Sequence, residues 1–95
     1  MLVDASRFNR TADILKVLGH PVRLCIVHGL VKQETCNVSY IQSCLNIPQS
    51  TVSQHMSKLK SAGIIEGTRK GLEIVYRVVD EDAFKIIETL YPGCK

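Results

Sequence analysis

Four breaks govern what this chain can fold into: Gly19-His20-Pro21, Asn46-Ile47-Pro48, the glycine-flanked run at residues 67–71, and Pro92-Gly93. Proline removes a backbone donor and fixes φ, while glycine accepts turn conformations that other residues resist, so no long helix or strand can run through these points. What remains between them is a set of short helices and one hairpin. With 95 residues, 45% apolar and 22% charged, those pieces have ordinary globular composition and enough length for one hydrophobic core. A chain this short buries only about 60–65% of its unfolded surface, so a subunit interface would add burial that one copy lacks.

Hydrophobic spacing assigns the pieces. Ala12, Ile14, Leu15, Val17 and Leu18 predict a first helix over 11–18, and Pro21 suits the first turn of a second helix with Leu24, Val27, Leu30 and Val31 on one face. After the polar Lys32-Gln33-Glu34-Thr35, Ile41 and Leu45 at i, i+4 predict a short third helix over about 38–45, which Pro48 interrupts. A fourth helix over about 49–62 should end at Gly63 in a left-handed cap. Ile64-Ile65-Glu66 and the stretch 72–78 read as strands joined through a basic tip at 67–71. Asp80-Glu81-Asp82 places acids where a helix N-terminus favours them, ahead of Ala83, Phe84, Ile87, Leu90 and Tyr91 on one stripe. The expected fold is mainly α with a small β-hairpin wing, ordered α-α-α-α-β-β-α, as a single domain over residues 1–95.

Charge distribution separates two surfaces. Twelve Lys and Arg against nine Asp and Glu leave only +3, but residues 48–79 hold five positives against two negatives, and residues 80–95 hold four acids against two lysines. The middle third is the part suited to phosphate. No apolar run approaches the roughly 20 residues of a membrane span, and the opening residues lack a charged n-region followed by an apolar h-region, so no membrane partner and a cytoplasmic location are expected. Cys25, Cys36, Cys44 and Cys94 form no Cys-x-x-Cys, which argues against thioredoxin-like and zinc-knuckle chemistry and leaves thiols as the resting state.

The fourth helix carries the most specific chemistry. At about 100° per residue, Val52, Met56 and Leu59 cluster as its inner face, and Ser50, Gln54, Ser57 and Lys58 point the other way. Gln can pair bidentately with adenine, Ser and Thr can donate or accept at either base pair, and Lys58 can meet phosphate one turn later. A solvated face would more often carry Glu and Lys. His55 lies beside the Val52 side and is expected at the core edge, and Arg69 and Lys70 at the hairpin tip suit a phosphate or minor-groove contact.

Three segments, Leu18-Gly19-His20-Pro21-Val22-Arg23-Leu24, Pro48-Gln49-Ser50-Thr51-Val52-Ser53-Gln54-His55-Met56 and Lys70-Gly71-Leu72-Glu73-Ile74-Val75-Tyr76, together resemble the ArsR-type winged helix-turn-helix repressors over about residues 11–91. The resemblance implies a homodimeric, sequence-specific repressor that binds double-stranded operator DNA at an inverted repeat and is released by an inducer. Carried over by position, it implies DNA contacts at Gln49, Ser50, Thr51, Ser53 and Gln54, to which the residue chemistry adds Lys58, Arg69 and Lys70. It also implies a dimer built from the first and fifth helices, with Ile14, Leu18, Phe84, Ile87, Leu90 and Tyr91 as the expected interface.

The family's metal-sensing pattern is missing. Relatives that sense metal carry Cys-x-Cys-Asp-Leu at the third helix, where this chain has Asn37-Val38-Ser39-Tyr40-Ile41, and its last helix has no histidine. No metal site and no cofactor are expected. Cys36 and Cys44 read as small fillers, whereas Cys25 on the second helix and Cys94 after the fifth are candidates for a thiol switch, because some members of the family sense oxidants or reactive sulfur from those elements. An enzyme would need an activated nucleophile beside a base, for which only Cys25 and His28 at i, i+3 offer a start, so no catalytic residue is assigned. The alternatives are a winged-helix repressor with no small-molecule or metal inducer and a protein-interaction module. The latter predicts an acidic or apolar face on the fourth helix.

Overall fold

The computed structural model describes residues 6–33 and 36–92, without the side chains of Cys36, Asn37, Val38, Tyr40 and Cys44. The elements are α1 (Ser6–Leu18), α2 (Pro21–Gln33), β1 (Cys36–Asn37), α3 (Val38–Leu45), α4 (Gln49–Ser61), β2 (Ile65–Lys70), β3 (Glu73–Val78) and α5 (Glu81–Leu90). This is the mainly helical winged helix-turn-helix order expected. One strand is additional: β1 pairs antiparallel with β3, Cys36 opposite Tyr76 and Asn37 opposite Val75, giving a sheet ordered β1-β3-β2. Two residues show no periodicity, so β1 could not be read from pattern. The first helix also starts earlier than its apolar residues, at Ser6, through a polar and exposed turn.

The expected breaks act as turns. Asn46 takes φ 56° between α3 and α4, a conformation asparagine tolerates, and Gly63 takes φ 75° after α4 as the left-handed cap. The wing differs from expectation. β2 continues through Gly67, Thr68, Arg69 and Lys70, and the turn is only Gly71-Leu72, with Gly71 at φ 67°. Gly67 is therefore a strand residue opposite Tyr76, and its missing side chain makes room for that ring: a Cβ there would stand 2.8 Å from Tyr76 Cε1 and 2.9 Å from Ile74 Cγ2.

The core draws on every layer: Ile14 from α1, Val27 and Leu30 from α2, Val52 and Leu59 from α4, Ile64 ahead of β2, and Ile87 from α5 are all essentially sealed from solvent. Each such side chain contributes about 1.5–3 kcal/mol of burial free energy. Among the described residues no single helix is long and apolar enough to cross a membrane; α1 and α2 together pass on length and composition but bend by 102° between them.

Three cationic side chains tie the helix ends together. Arg10 donates from Nη1 to the Ala62 carbonyl at 2.6 Å and pairs through Nη2 with Asp80, whose other oxygen caps α5 by accepting from Ala83 N at 2.9 Å. Lys32, at the end of α2, donates to the Tyr91 carbonyl at 2.8 Å and faces Glu88 at 3.5 Å. Arg23 joins three elements. Its Nε donates to the Val17 carbonyl at 2.6 Å, closing the last turn of α1, and its Nη1 lies 3.3 Å from Nδ1 of His55 on α4. His20 completes the corner by accepting from Val22 N through Nδ1 at 3.1 Å, an N-cap for α2.

Candidate nucleic-acid interface

α4 is oriented by its own amphipathicity. Val52, Met56 and Leu59 are buried, so the opposite side is committed to solvent. Gln49, Ser50, Ser53, Gln54 and Lys58 are exposed there, and Thr51 is half-buried on the flank. Pro48 provides no side-chain cap and the first turn contains no acid, so the positive end of the helix dipole meets solvent without a fixed counter-charge. Lys58 and Lys60 sit in the last turn, where they offset the negative end. This face presents neutral donors and acceptors at one end and cations at the other. It can form hydrogen bonds to base edges and ion pairs with phosphate.

His55 is half-buried on the flank of α4, at the core edge expected for it. Its ring centroid lies 4.5 Å from that of His20. Burial first, then electrostatic repulsion from the neighbouring His20, Arg23 and Lys58 side chains, pushes its pKa below the ordinary value of 6.5. A neutral imidazole can accept from Arg23, so His55 joins α4 to the α1–α2 corner from its inner flank.

Arg69 and Lys70 are exposed at the end of β2, opposite Ile74 and Glu73 of β3. Arg69 Nη1 reaches the Gly71 carbonyl at 3.5 Å across the turn, and Leu72 at the tip is 99% exposed. Farther down the wing Arg77 faces Glu66 at 3.4 Å, which places that cation away from the tip. The wing's outward charge is thus concentrated at its last two residues before the turn.

The expected interface residues separate into two groups. Phe84, Leu90 and Tyr91 are 45%, 60% and 44% exposed, with apolar surface to offer. Ile14, Leu18 and Ile87 are 0%, 4% and 0% exposed and belong to the protomer's own core, which corrects their assignment to a subunit contact. α1 is apolar on both sides, and its spacing does not say which side faces inward. Ile14 and Leu18 at i, i+4 turn in, whereas Phe8 and Leu15 at i, i+7 turn out and are each 51% exposed. These two were missed, although their seven-residue separation was present in the sequence.

Cys25 is exposed on α2 and lines a groove of about 380 Å³ with Pro21, Leu24, His28 and Tyr91. His28 packs edge-on against Tyr91, with ring centroids 4.9 Å apart. Cys94 lies outside the described residues, as do the side chains of Cys36 and Cys44. Among the described residues, no three His, Cys, Asp or Glu side chains gather as a metal site.

A helix-turn-helix domain family model matches residues 18–68, from the end of α1 through α4 into the wing. The transcriptional repressor PagR of Bacillus anthracis is 42% identical over 81 residues, covering 85% of this chain and 81% of its own. The chain belongs to the ArsR/SmtB family of DNA-binding transcriptional repressors. The crystal structure of PagR superposes on this ArsR/SmtB protein with a TM-score of 0.84 at 38% identity, covering 92% of this chain and 99% of that one. A biofilm growth-associated repressor of Xylella fastidiosa is 38% identical over 85 residues, 90% of this chain and 74% of its own. The homodimeric winged helix-turn-helix DNA-binding domain of Mb0332 from Mycobacterium bovis, described as a possible ArsR-family regulator, matches this family member with a TM-score of 0.78 at 25% identity over 94% of this chain and 83% of that one.

Proposed function

We propose that this chain represses transcription as a homodimer that binds an inverted-repeat operator, with α4 in the major groove of each half-site. Gln49, Ser50, Thr51, Ser53 and Gln54 read base edges, Lys58 meets the flanking phosphate, and Arg69 and Lys70 bring the wing tip to the backbone or minor groove. The observation that carries this reading is the outer face of α4, where exposed Ser and Gln side chains precede a lysine and no acid occupies the first turn. Homodimerisation is supported by Phe8 and Leu15 on α1 and by Phe84 and Leu90 on α5, exposed apolar residues on two helices that pack beside each other. Two-fold symmetry then sets half-site centres about one helical turn, roughly 34 Å, apart or a small multiple of it. Selection of bound duplexes from a random pool tests the reading. Recovery of an inverted repeat supports it, and recovery of no preferred sequence defeats it.

For release, the groove beside Cys25 favours thiol chemistry over the family's metal sites. Tyr91 lines the same groove as Cys25, and Cys94 follows three residues later, within about 10 Å of extended chain. An oxidant such as diamide would take two electrons and two protons from the Cys25 and Cys94 thiols to form one disulfide, drawing the end of α5 toward α2. DNA affinity of the wild type, Cys25→Ser and Cys94→Ser, each reduced and then oxidised, tests this switch. Equal affinity of oxidised and reduced wild type would exclude it.

A further inference from the structure

We infer that the groove between α1 and α4 seats the phosphate backbone of DNA, with Lys16 of α1 and Lys58 of α4 as its two free cations; the inference rests on the reading of α4 as the DNA-binding helix. The groove, about 610 Å³, runs beside the C-terminal half of α4. Ser57, Lys58 and Ser61 form one wall, Lys16 stands on the other, and Arg10 and Arg23 also line it. Asp13 is the one acid among its described lining residues. Four cations against one carboxylate make this an electropositive trough.

The cations have different duties. Arg10 is held by the Ala62 carbonyl and Asp80, and Arg23 by the Val17 carbonyl and His55, so both guanidinium groups brace the walls. Lys16 and Lys58 are exposed and have no partner among the described residues. Two ammonium groups lining one groove without a counter-ion offer an approaching anion Coulombic attraction from both walls.

The position of the groove identifies the anion. Ser50, Gln54, Ser57, Lys58 and Ser61 fall along one side of α4 at successive turns, so the stripe expected to read bases runs directly into the groove wall. Gln54 and Ser61 are separated by about 10 Å along the helix, close to the roughly 12 Å width of the major groove. A helix that sets Gln54 on base edges therefore brings Ser57, Lys58 and Ser61 to the strand bordering that groove. Lys16 then faces the same strand from α1. A small-molecule anion site would call for donors closed around the ion, whereas these lysines stand on opposite walls of an open trough. The α1 helix thus has a second role, supplying a phosphate contact as well as closing the core.

The test compares Lys16→Gln with Lys85→Gln, an exposed lysine on α5, in the full chain, measuring affinity for operator and random duplex across a salt series. Lys16→Gln is expected to weaken both duplexes by the same factor, about threefold to tenfold, and to lower the slope of log K against log salt by about one per protomer. Lys85→Gln is expected to move neither quantity. An unchanged slope for Lys16→Gln overturns the inference while leaving the role of α4 intact, and so does a changed ratio of operator to random binding, which would make Lys16 a base reader. Inorganic phosphate that raises the melting temperature of the wild type but not of Lys16→Gln, while leaving DNA affinity no weaker than chloride does at equal ionic strength, also overturns it by making the groove a free-anion site that DNA does not occupy. A wild type that binds no duplex DNA defeats the reading of α4 and this inference together.

Discussion

α4 and α5 are both amphipathic helices that close the same core, yet they differ at nearly every outward position. α4 turns Ser50, Gln54, Ser57 and Lys58 to solvent, has no acid in its first turn and lacks a side-chain cap. α5 turns Phe84 and Leu90 outward, carries Glu81 and Asp82 in its first turn and is capped by Asp80. An uncapped, acid-free start tolerates an incoming anion; a start capped by one carboxylate and followed by two more repels it. The inner faces of the two helices look alike because the core asks the same of both. Their outer faces differ in what they suit, one a polar and anionic partner, the other an apolar one.

The largest effect that can break this comparison is at Ile87. Ile87→Asp places a carboxylate at a fully buried position and should cost about 4 kcal/mol or more, unfolding the chain in a denaturant titration, whereas Phe84→Asp should leave the fold intact and weaken self-association in sedimentation. A folded monomer from Ile87→Asp would mean that the inner and outer faces of α5 have been confused. Next in size, Gln54→Ala should cost about 1–3 kcal/mol at the operator and relax base preference. If operator and random DNA then bind with an unchanged ratio, α4 is not the reading helix. Arg69→Ala and Lys70→Ala should each weaken all duplexes by a similar, smaller factor and flatten the salt slope.

The smallest effect is at His55. The folded chain keeps this imidazole neutral below 6.5, whereas the unfolded chain takes up the proton there. Its contribution to stability is therefore complete above pH 6.5 and declines as pH falls below that value toward the lowered pKa. His55→Gln should reduce the loss of melting temperature between pH 7.5 and pH 5.5 compared with the wild type. An identical decline in both proteins would remove His55 from the account.

The helices were legible in the sequence because each has an apolar stripe bounded by a breaker: Pro21, Pro48 and Gly63 mark ends that the structure keeps. Three features were not. β1 is two residues long and exists only because β3 offers it an edge. Gly67 looked like part of a turn, but it is a strand glycine under Tyr76, a distinction that depends on the register bringing that ring opposite it. The two sides of α1 are both apolar, so only packing could separate Ile14 and Leu18 from Phe8 and Leu15. At the candidate interface, residue type already marked the exposed face of α4, whereas the place of Lys16 on the groove that Ser57, Lys58 and Ser61 also line follows only from the fold.

Arg23 has a mechanical consequence. One planar guanidinium closes the last turn of α1 at Val17 and touches α4 at His55, midway along that helix. One side chain on α2 thus ties the end of α1 to the middle of α4, so the corner where these three helices meet is held by a single planar group. The outer side of that same α1 carries the exposed Phe8 and Leu15, so the helix that Arg23 holds at its end is also the one with apolar surface left to cover.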